Sequence, residues 1–320
     1  MFSWFRERRR TIAIAKETAS AIYRNVPEVK VSGVYKSANS IRFHISPGGA
    51  RGDELLIKMS RPYAVQGHLE TGILSLPSVS RRLMDGFRVA APPWLQVPEI
   101  VQADDSLGIL VMKYVNGTNL KLLLSRSRPQ LGFESERIAE LCGRALATWH
   151  SCERTPGRAS FGHDRSGYSN TVLSYLDYSV WNIRVRPDMK SLALLDFPGA
   201  EIQADRQRDL ASFLHSLLVV RHHPFNMLKG LTWWDWRSIY SAFLSGYVVQ
   251  SGLPLETADF HRITDNLQSA IRKMAEQYAR LSENPRMALE RYWYSRLGNH
   301  PALRPETLVD AFTDFNRRSG

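Results

Sequence analysis

Hydrophobic and polar positions alternate first between Val29 and Ile45. Val31, Val34 and Tyr35 precede the polar run Ser37–Ser40, and Ile41, Phe43 and Ile45 alternate with polar neighbours after it. This two-residue period, broken by a turn, predicts two strands and a connection. Glycines and a proline over 47–52 mark a further turn, after which Leu55-Leu56-Ile57 forms a short apolar strand ending on Lys58. Ser60 and Pro62 suit a helix start, so a helix is expected from Tyr63 to about Leu76, with Pro77 ending it. Prolines 92, 93 and 98 punctuate a loop. Strands are expected around Ile100-Val101 and from Gly108 to Val115. Asn116-Gly117 breaks the pattern.

Beyond that break the period lengthens to that of a helix. Ile138, Leu141, Cys142, Ala145 and Trp149 share one face, and Glu134 and Glu136 stand in the first turn, where the helix dipole favours acid. A short β segment is expected between Val172 and Leu195, and from Arg208 onward the pattern is helical. The sequence thus divides into a leading basic helix (1–26), a β-rich segment (27–115) and a mainly helical remainder (116–320).

Composition narrows the class. The chain has 320 residues, 43% hydrophobic and 23% charged, which is globular rather than disordered. Its formal net charge of +11 favours anionic partners without choosing among them. Two cysteines, Cys142 and Cys152, exclude a disulfide framework or a zinc site and suit a reducing cytoplasm. No apolar run is long enough to cross a membrane. Phe2, Trp4 and Phe5 among Arg6, Arg8, Arg9 and Arg10 resemble the start of a signal peptide, but Lys16 and Glu17 interrupt the next stretch, so none is expected. The leading helix is expected to pack on the body of the protein. A basic amphipathic helix lying on an anionic membrane, at the inner face, is the alternative. Nothing beyond bulk charge points to nucleic acid.

Candidate chemistry concentrates in the β segment. Asp177 is followed five residues later by Asn182, and Asp196 ends the apolar run Leu192–Leu195. Phosphoryl transfer needs a carboxylate to orient the acceptor hydroxyl and oxygen ligands for magnesium on the ATP phosphates. Asp177 suits the first role, Asn182 and Asp196 the second.

Tyr175–Asn182 and Leu194–Phe197 resemble the catalytic loop and metal-binding strand of the aminoglycoside phosphotransferase and choline kinase-like families. Other motifs stand in the same order. Ser32-Gly33 through Asn39 resembles an abbreviated glycine loop, and Leu56-Ile57-Lys58 the strand whose lysine grips the α- and β-phosphates. Val97–Ile100 and Leu110–Gly117 resemble the strands and hinge that hold adenine, and Ala145–His150 the helix end before the catalytic loop. Asp209-Leu210-Ala211 is similar to a bracing motif.

The resemblance implies an α+β, two-lobed protein-kinase-like fold, with a small antiparallel β lobe carrying one helix and a larger, mainly α-helical lobe. It implies ATP and Mg2+, with Ser37, Asn39 and Lys58 on the phosphates, Glu70 paired to Lys58, and Lys113 and Val115 on the adenine through their backbones. Asp177 would be catalytic, Asn182 and Asp196 metal ligands, and Tyr175 and Asp209 structural supports. The implied activity is a cytoplasmic kinase for a hydroxyl of a small molecule or saccharide. Three positions depart from the families' pattern: Tyr175 and Ser179 stand where histidines are usual, and Pro198 replaces an acidic or small residue. They keep a second reading open, a catalytically inactive nucleotide-binding or scaffold protein of the same fold.

Trp233, Trp234, Trp236 and Tyr240 suit core packing more than sugar stacking. The adjacent His222 and His223 suit a cap or solvent face more than a metal. Arg206, Arg208 and Arg221 suit solvated charge more than an anionic acceptor, and Cys142 suits the core.

Overall fold

The computed structural model describes residues 2–23, 28–36, 40–47, 54–60, 76–125, 132–152, 171–197, 202–222, 234–280 and 292–319. It divides into two compact units, one of residues 1–89, 97–116 and 197–200, the other of 90–96, 117–196 and 201–320.

The first unit is an antiparallel sheet with helices. Strands β1 (Val29–Lys36), β2 (Ser40–Pro47), β3 (Leu55–Ser60), β5 (Ile100–Asp104) and β6 (Ile109–Lys113) stand in the order β1-β2-β3-β6-β5. Alternation sets the two faces. Ile41, Phe43, Ile45, Leu55, Ile57, Met59, Ile109 and Val111 form one buried cluster with Ala15 and Ala19 of helix α1 (Phe2–Ile22). The small alanines let α1 lie close against the sheet. Between Ile12 and Ile22 its apolar side is therefore spent on packing, as the leading-helix expectation had it.

A second helix, α2 (Pro77–Ala90), buries Leu83, Met84 and Phe87. Pro77 opens this helix, which the sequence pattern did not predict. Proline costs nothing at a first helical position, because its missing N–H would have no intrahelical partner there. Asp105, from the β5–β6 connection, accepts from the Ser78 backbone N–H (2.8 Å) and caps that start. The expected helix over 63–76 lies outside the described residues, apart from Leu76.

The second unit is mainly helical: α3 (Leu120–Leu124), α4 (Gly132–Ser151), α5 (Arg206–His222), α6 (Trp236–Ser251), α7 (Thr257–Arg280) and α8 (Pro305–Ser319), with a 3-10 turn at Pro301–Leu303. Its small sheet runs β4-β10-β9-β7, from Leu95–Gln96, Leu192–Leu194, Ile183–Val185 and Thr118–Asn119, and β8 (Thr171–Leu173) pairs with β11 (Gln203–Asp205). Helices α4 and α6 cross at two glycines. A methyl group on Gly143 would run into the Phe243 carbonyl, and one on Gly246 into that of Glu140. No helix among the described residues is long and apolar enough to cross a membrane.

Candidate functional site

The β9–β10 hairpin positions two of the expected site residues. Ile183 pairs with Leu194, and the ladder continues as the Leu195 N–H donates to the Asn182 carbonyl at 2.7 Å. Asn182 and Asp196 therefore emerge at the same end of one hairpin, at adjacent positions on facing strands. Asn182 is 3% exposed and its side chain is oriented by the loop before it. Its Nδ2 donates to the Asp177 carbonyl (3.0 Å) and to Asp177 Oδ2 (2.9 Å). Two acceptors on one atom identify that atom as the NH2 group, so Oδ1 is the edge turned away from Asp177. Asp177 is exposed and Asp196 half-buried. The three residues are thus brought to one place in the chain's fold by one hairpin and one five-residue loop.

The backbone is strained at this point. Leu176 has φ 68° and Asp196 φ 60°. Left-handed backbone is uncommon for Asp and an outlier for Leu, and persists only where surrounding contacts overdetermine it. At Leu176, Asp209 at the start of α5 supplies those contacts. Fully buried, it accepts from Ser174 Oγ (2.9 Å) and Leu176 N–H (3.2 Å) at Oδ1, and from Tyr175 N–H (2.7 Å) and His150 Nε2 (3.0 Å) at Oδ2. His150 Nδ1 is hydrogen-bonded to the Tyr247 hydroxyl at 2.9 Å. One carboxylate from α5 and one histidine from α4 thus clamp the three residues that precede Asp177.

Tyr175 occupies a position where the resembling families carry His. Its hydroxyl donates to the Leu195 carbonyl at 2.5 Å, and its ring packs edge-on between Trp149 and Tyr178. The loop leading into Asp177 is therefore bonded to the residue before Asp196. Ser179 is buried and its N-terminal neighbour Tyr178 donates to the Cys142 carbonyl (2.6 Å). Cys142 is fully buried, as a small core residue, and desolvation raises its thiol well above the usual range.

In the first unit Lys58 pairs in register with Arg42 on β2 and Leu110 on β6. It alternates with buried Ile57 and Met59, which puts its side chain on the sheet face opposite α1. The Lys113 backbone N–H donates to the Glu99 carbonyl (2.9 Å), and its Nζ pairs with the Glu99 carboxylate (2.9 Å). Val115 is buried. Phe197 packs on Phe87 of α2 and accepts a long hydrogen bond from Ser80 (3.4 Å). Ser37, Asn39, Glu70 and Pro198 lie outside the described residues, as do Trp233 and His223.

Other expectations separate cleanly. Trp234, Trp236 and Tyr240 are buried, so their bulk serves packing. Arg206 is buried and bonded to Asp259 (3.1 Å) and the Pro254 carbonyl (3.1 Å), which removes it as an anion ligand; Arg208 is exposed. His222 is hydrogen-bonded to His300, Nε2 to Nε2 at 3.0 Å. Sequence reasoning missed the bonding roles of His150 and Ser174. Their only signal was proximity, in sequence, to the helix end and loop already singled out.

No family model matches the chain, and no curated protein matches it either. Solved structures do. A protein from Ralstonia eutropha, provisionally assigned as an aminoglycoside phosphotransferase, aligns over 92% of this chain and 97% of its own, with 13% identity and a TM-score of 0.51. A Plasmodium vivax ethanolamine kinase aligns over 91% of this chain and 83% of its own, with 10% identity and a TM-score of 0.50. The fold is protein-kinase-like. Within that fold the α+β division is the expected one, a β-sheet unit and a larger helical unit.

Proposed function

We propose that the chain is a phosphotransferase that moves the γ-phosphoryl group of ATP to a hydroxyl of a small molecule or saccharide. The observation that carries this is the joint placement of Asp177, Asn182 and Asp196 at one hairpin end, braced from beneath by Asp209. An exposed carboxylate at Asp177 would align the acceptor hydroxyl and take its proton as the oxygen attacks phosphorus. Asn182, by holding Oδ2, fixes which way that carboxylate faces. Lys58 would bind the ATP phosphates.

The donor set fits magnesium: an amide oxygen turned away from its own hydrogen-bonded edge, and a carboxylate adjacent to it, both hard oxygen ligands. Asn182 Oδ1 and Asp196 would hold the ion, which when bound neutralises charge on the transferring phosphoryl group. The names of the two structural neighbours agree with this reading in kind.

Thermal melting with MgATP, on wild type beside Asp196→Asn and Asp177→Asn, tests it. Ligand at 100 times its dissociation constant adds about 2.7 kcal/mol, and the midpoint rises by roughly 2–4 °C per kcal/mol. The expected result is a rise in wild type and Asp177→Asn that shrinks in Asp196→Asn, with single-turnover phosphotransfer lost in both variants. Absence of any rise in wild type overturns the proposal.

A further inference from the structure

We infer that the acceptor is an anion, a sugar acid or sugar phosphate, held by cations that tryptophans fix along α3 from the Asp177 loop; this rests on the phosphotransferase reading. Trp181 stands in that loop, between Asp177 and Asn182, and is half-buried. Its carbonyl accepts from Asn119 Nδ2 (2.6 Å), and the carbonyl before it, on Val180, accepts from the Lys121 N–H (3.2 Å). The Lys121 ammonium then lies 5.8 Å above the Trp181 ring. The start of α3 is thereby stapled to the loop, with a positive charge beside it.

The other end of α3 carries the same device. The Leu124 carbonyl accepts from Trp234 Nε1 (2.9 Å), and the Arg221 guanidinium lies over the Trp234 ring at 5.4 Å. Two residues on, Arg237 lies over Trp236 at 5.4 Å. A five-residue helix is about 7.5 Å long, so Lys121 stands at one end of α3 and the Arg221–Trp234 pair at the other, with Arg237 near enough to act on Arg221. Each rests on a tryptophan, and a flat apolar floor restricts a long side chain while leaving its charged end hydrated.

Lys121 and Arg237 have no carboxylate partner among the described residues. Asp235 is near, but its carboxylate accepts from the Arg237 (3.3 Å) and Ser238 (3.4 Å) backbone N–H groups as the cap of α6. Burial lowers the proton affinity of Arg221; Asp235 pulls it back up, and the charge of Arg237, a smaller effect, pushes it down again. Such like charges favour an anionic ligand and repel an amine. The aminoglycoside and ethanolamine named for the structural neighbours are amines, so this chain would differ from them at the acceptor.

The experiment titrates the full chain by calorimetry with trigalacturonate, glucose 6-phosphate, maltotriose, ethanolamine and inorganic phosphate. At least one of the two anionic sugars should bind about tenfold or more tighter than maltotriose, more weakly at high salt, and which one does so separates carboxylate from phosphate recognition. Lys121→Gln and Arg237→Gln should each weaken that binding about tenfold, the gain of a charge-assisted contact, while Lys121→Arg retains it. Equal or tighter binding of maltotriose or ethanolamine overturns the inference, as does binding that the two glutamine variants leave unchanged. Phosphate binding as tightly as the sugars would mean an adventitious ion only, and overturns it too. A MgATP melting shift in the same samples separates the failures: present without anion binding, it sinks only the acceptor class; absent, it sinks the phosphotransferase reading.

Discussion

Asp209 shows how much one buried side chain can organise. Ser174, Tyr175 and Leu176 are the three residues before Asp177, and all three donate to it. Tyr175 passes that order on through its hydroxyl bond to the Leu195 carbonyl. Tyr175→Phe keeps the ring between Trp149 and Tyr178 but leaves a buried acceptor unpaired, a loss of about 1–3 kcal/mol. The expected outcome is a lower denaturation midpoint with little change in near-ultraviolet dichroism. A midpoint equal to wild type would show that the hydroxyl contributes nothing. Histidines make a second prediction. The Ala302 N–H donates to His300 Nδ1 (3.1 Å), so in the neutral pair Nε2 carries the proton and donates to His222 Nε2. Protonating either ring breaks one of these bonds. Burial holds His215, His222 and His300 down to about 4. An unfolded chain takes up those protons near pH 6.5 and the folded one does not, so stability is full above about pH 6.5 and falls as pH drops towards 4. A melting series over pH 4–7 should show this decline, and His300→Asn, which can keep the cap, should flatten it.

Among the elements, the α4–α6 crossing and the β9–β10 hairpin matter most for the site. Gly143 and Gly246 let the two helix backbones touch, and that approach brings Tyr247 of α6 to His150 of α4 and so to Asp209. Gly143→Ala should help an isolated helix by about 1 kcal/mol. In the folded protein its methyl meets the backbone of α6, which cannot yield as a side chain can, so a net loss of about 1–3 kcal/mol is expected. Chemical denaturation measures it, and a stabilised variant would contradict the crossing geometry. Gly117 has a different reason: at φ 145°, with the Val185 carbonyl 2.8 Å from any Cβ, it admits no side chain. Asn119, two residues on, caps α3 through the Lys121 N–H at 3.0 Å.

At the scale of the whole molecule, two units with separate cores predict separable responses. Gly143→Ala should speed amide exchange in α4, α6 and the Asp177 loop, and leave the protection of β2, β3 and β6 near its wild-type value. Uniform loss of protection across both would show that the units unfold as one. The sequence by itself determined what rests on local pattern. The alternating run at 29–45 and the apolar runs at 55–57 and 108–115 became strands, the apolar stripe of 138–149 became one side of a helix, and the order of motifs pointed to a kinase-like α+β chain. Such features depend on side-chain spacing, which is written along the chain. Tertiary structure decided the rest. Pro77 opens a helix because Asp105, from a distant hairpin, receives its first turn. Arg206 is withdrawn from the surface because Asp259, over fifty residues on, meets it in the interior. The bond from Tyr175 to Leu195, the clamp of His150 on Asp209 and the seating of Lys121 on Trp181 and Arg221 on Trp234 all join residues that the backbone brings together from separate elements. Hydrogen bonds and burial of that kind leave no periodic trace, because their partners are chosen by where the backbone brings them and not by where they stand in the chain.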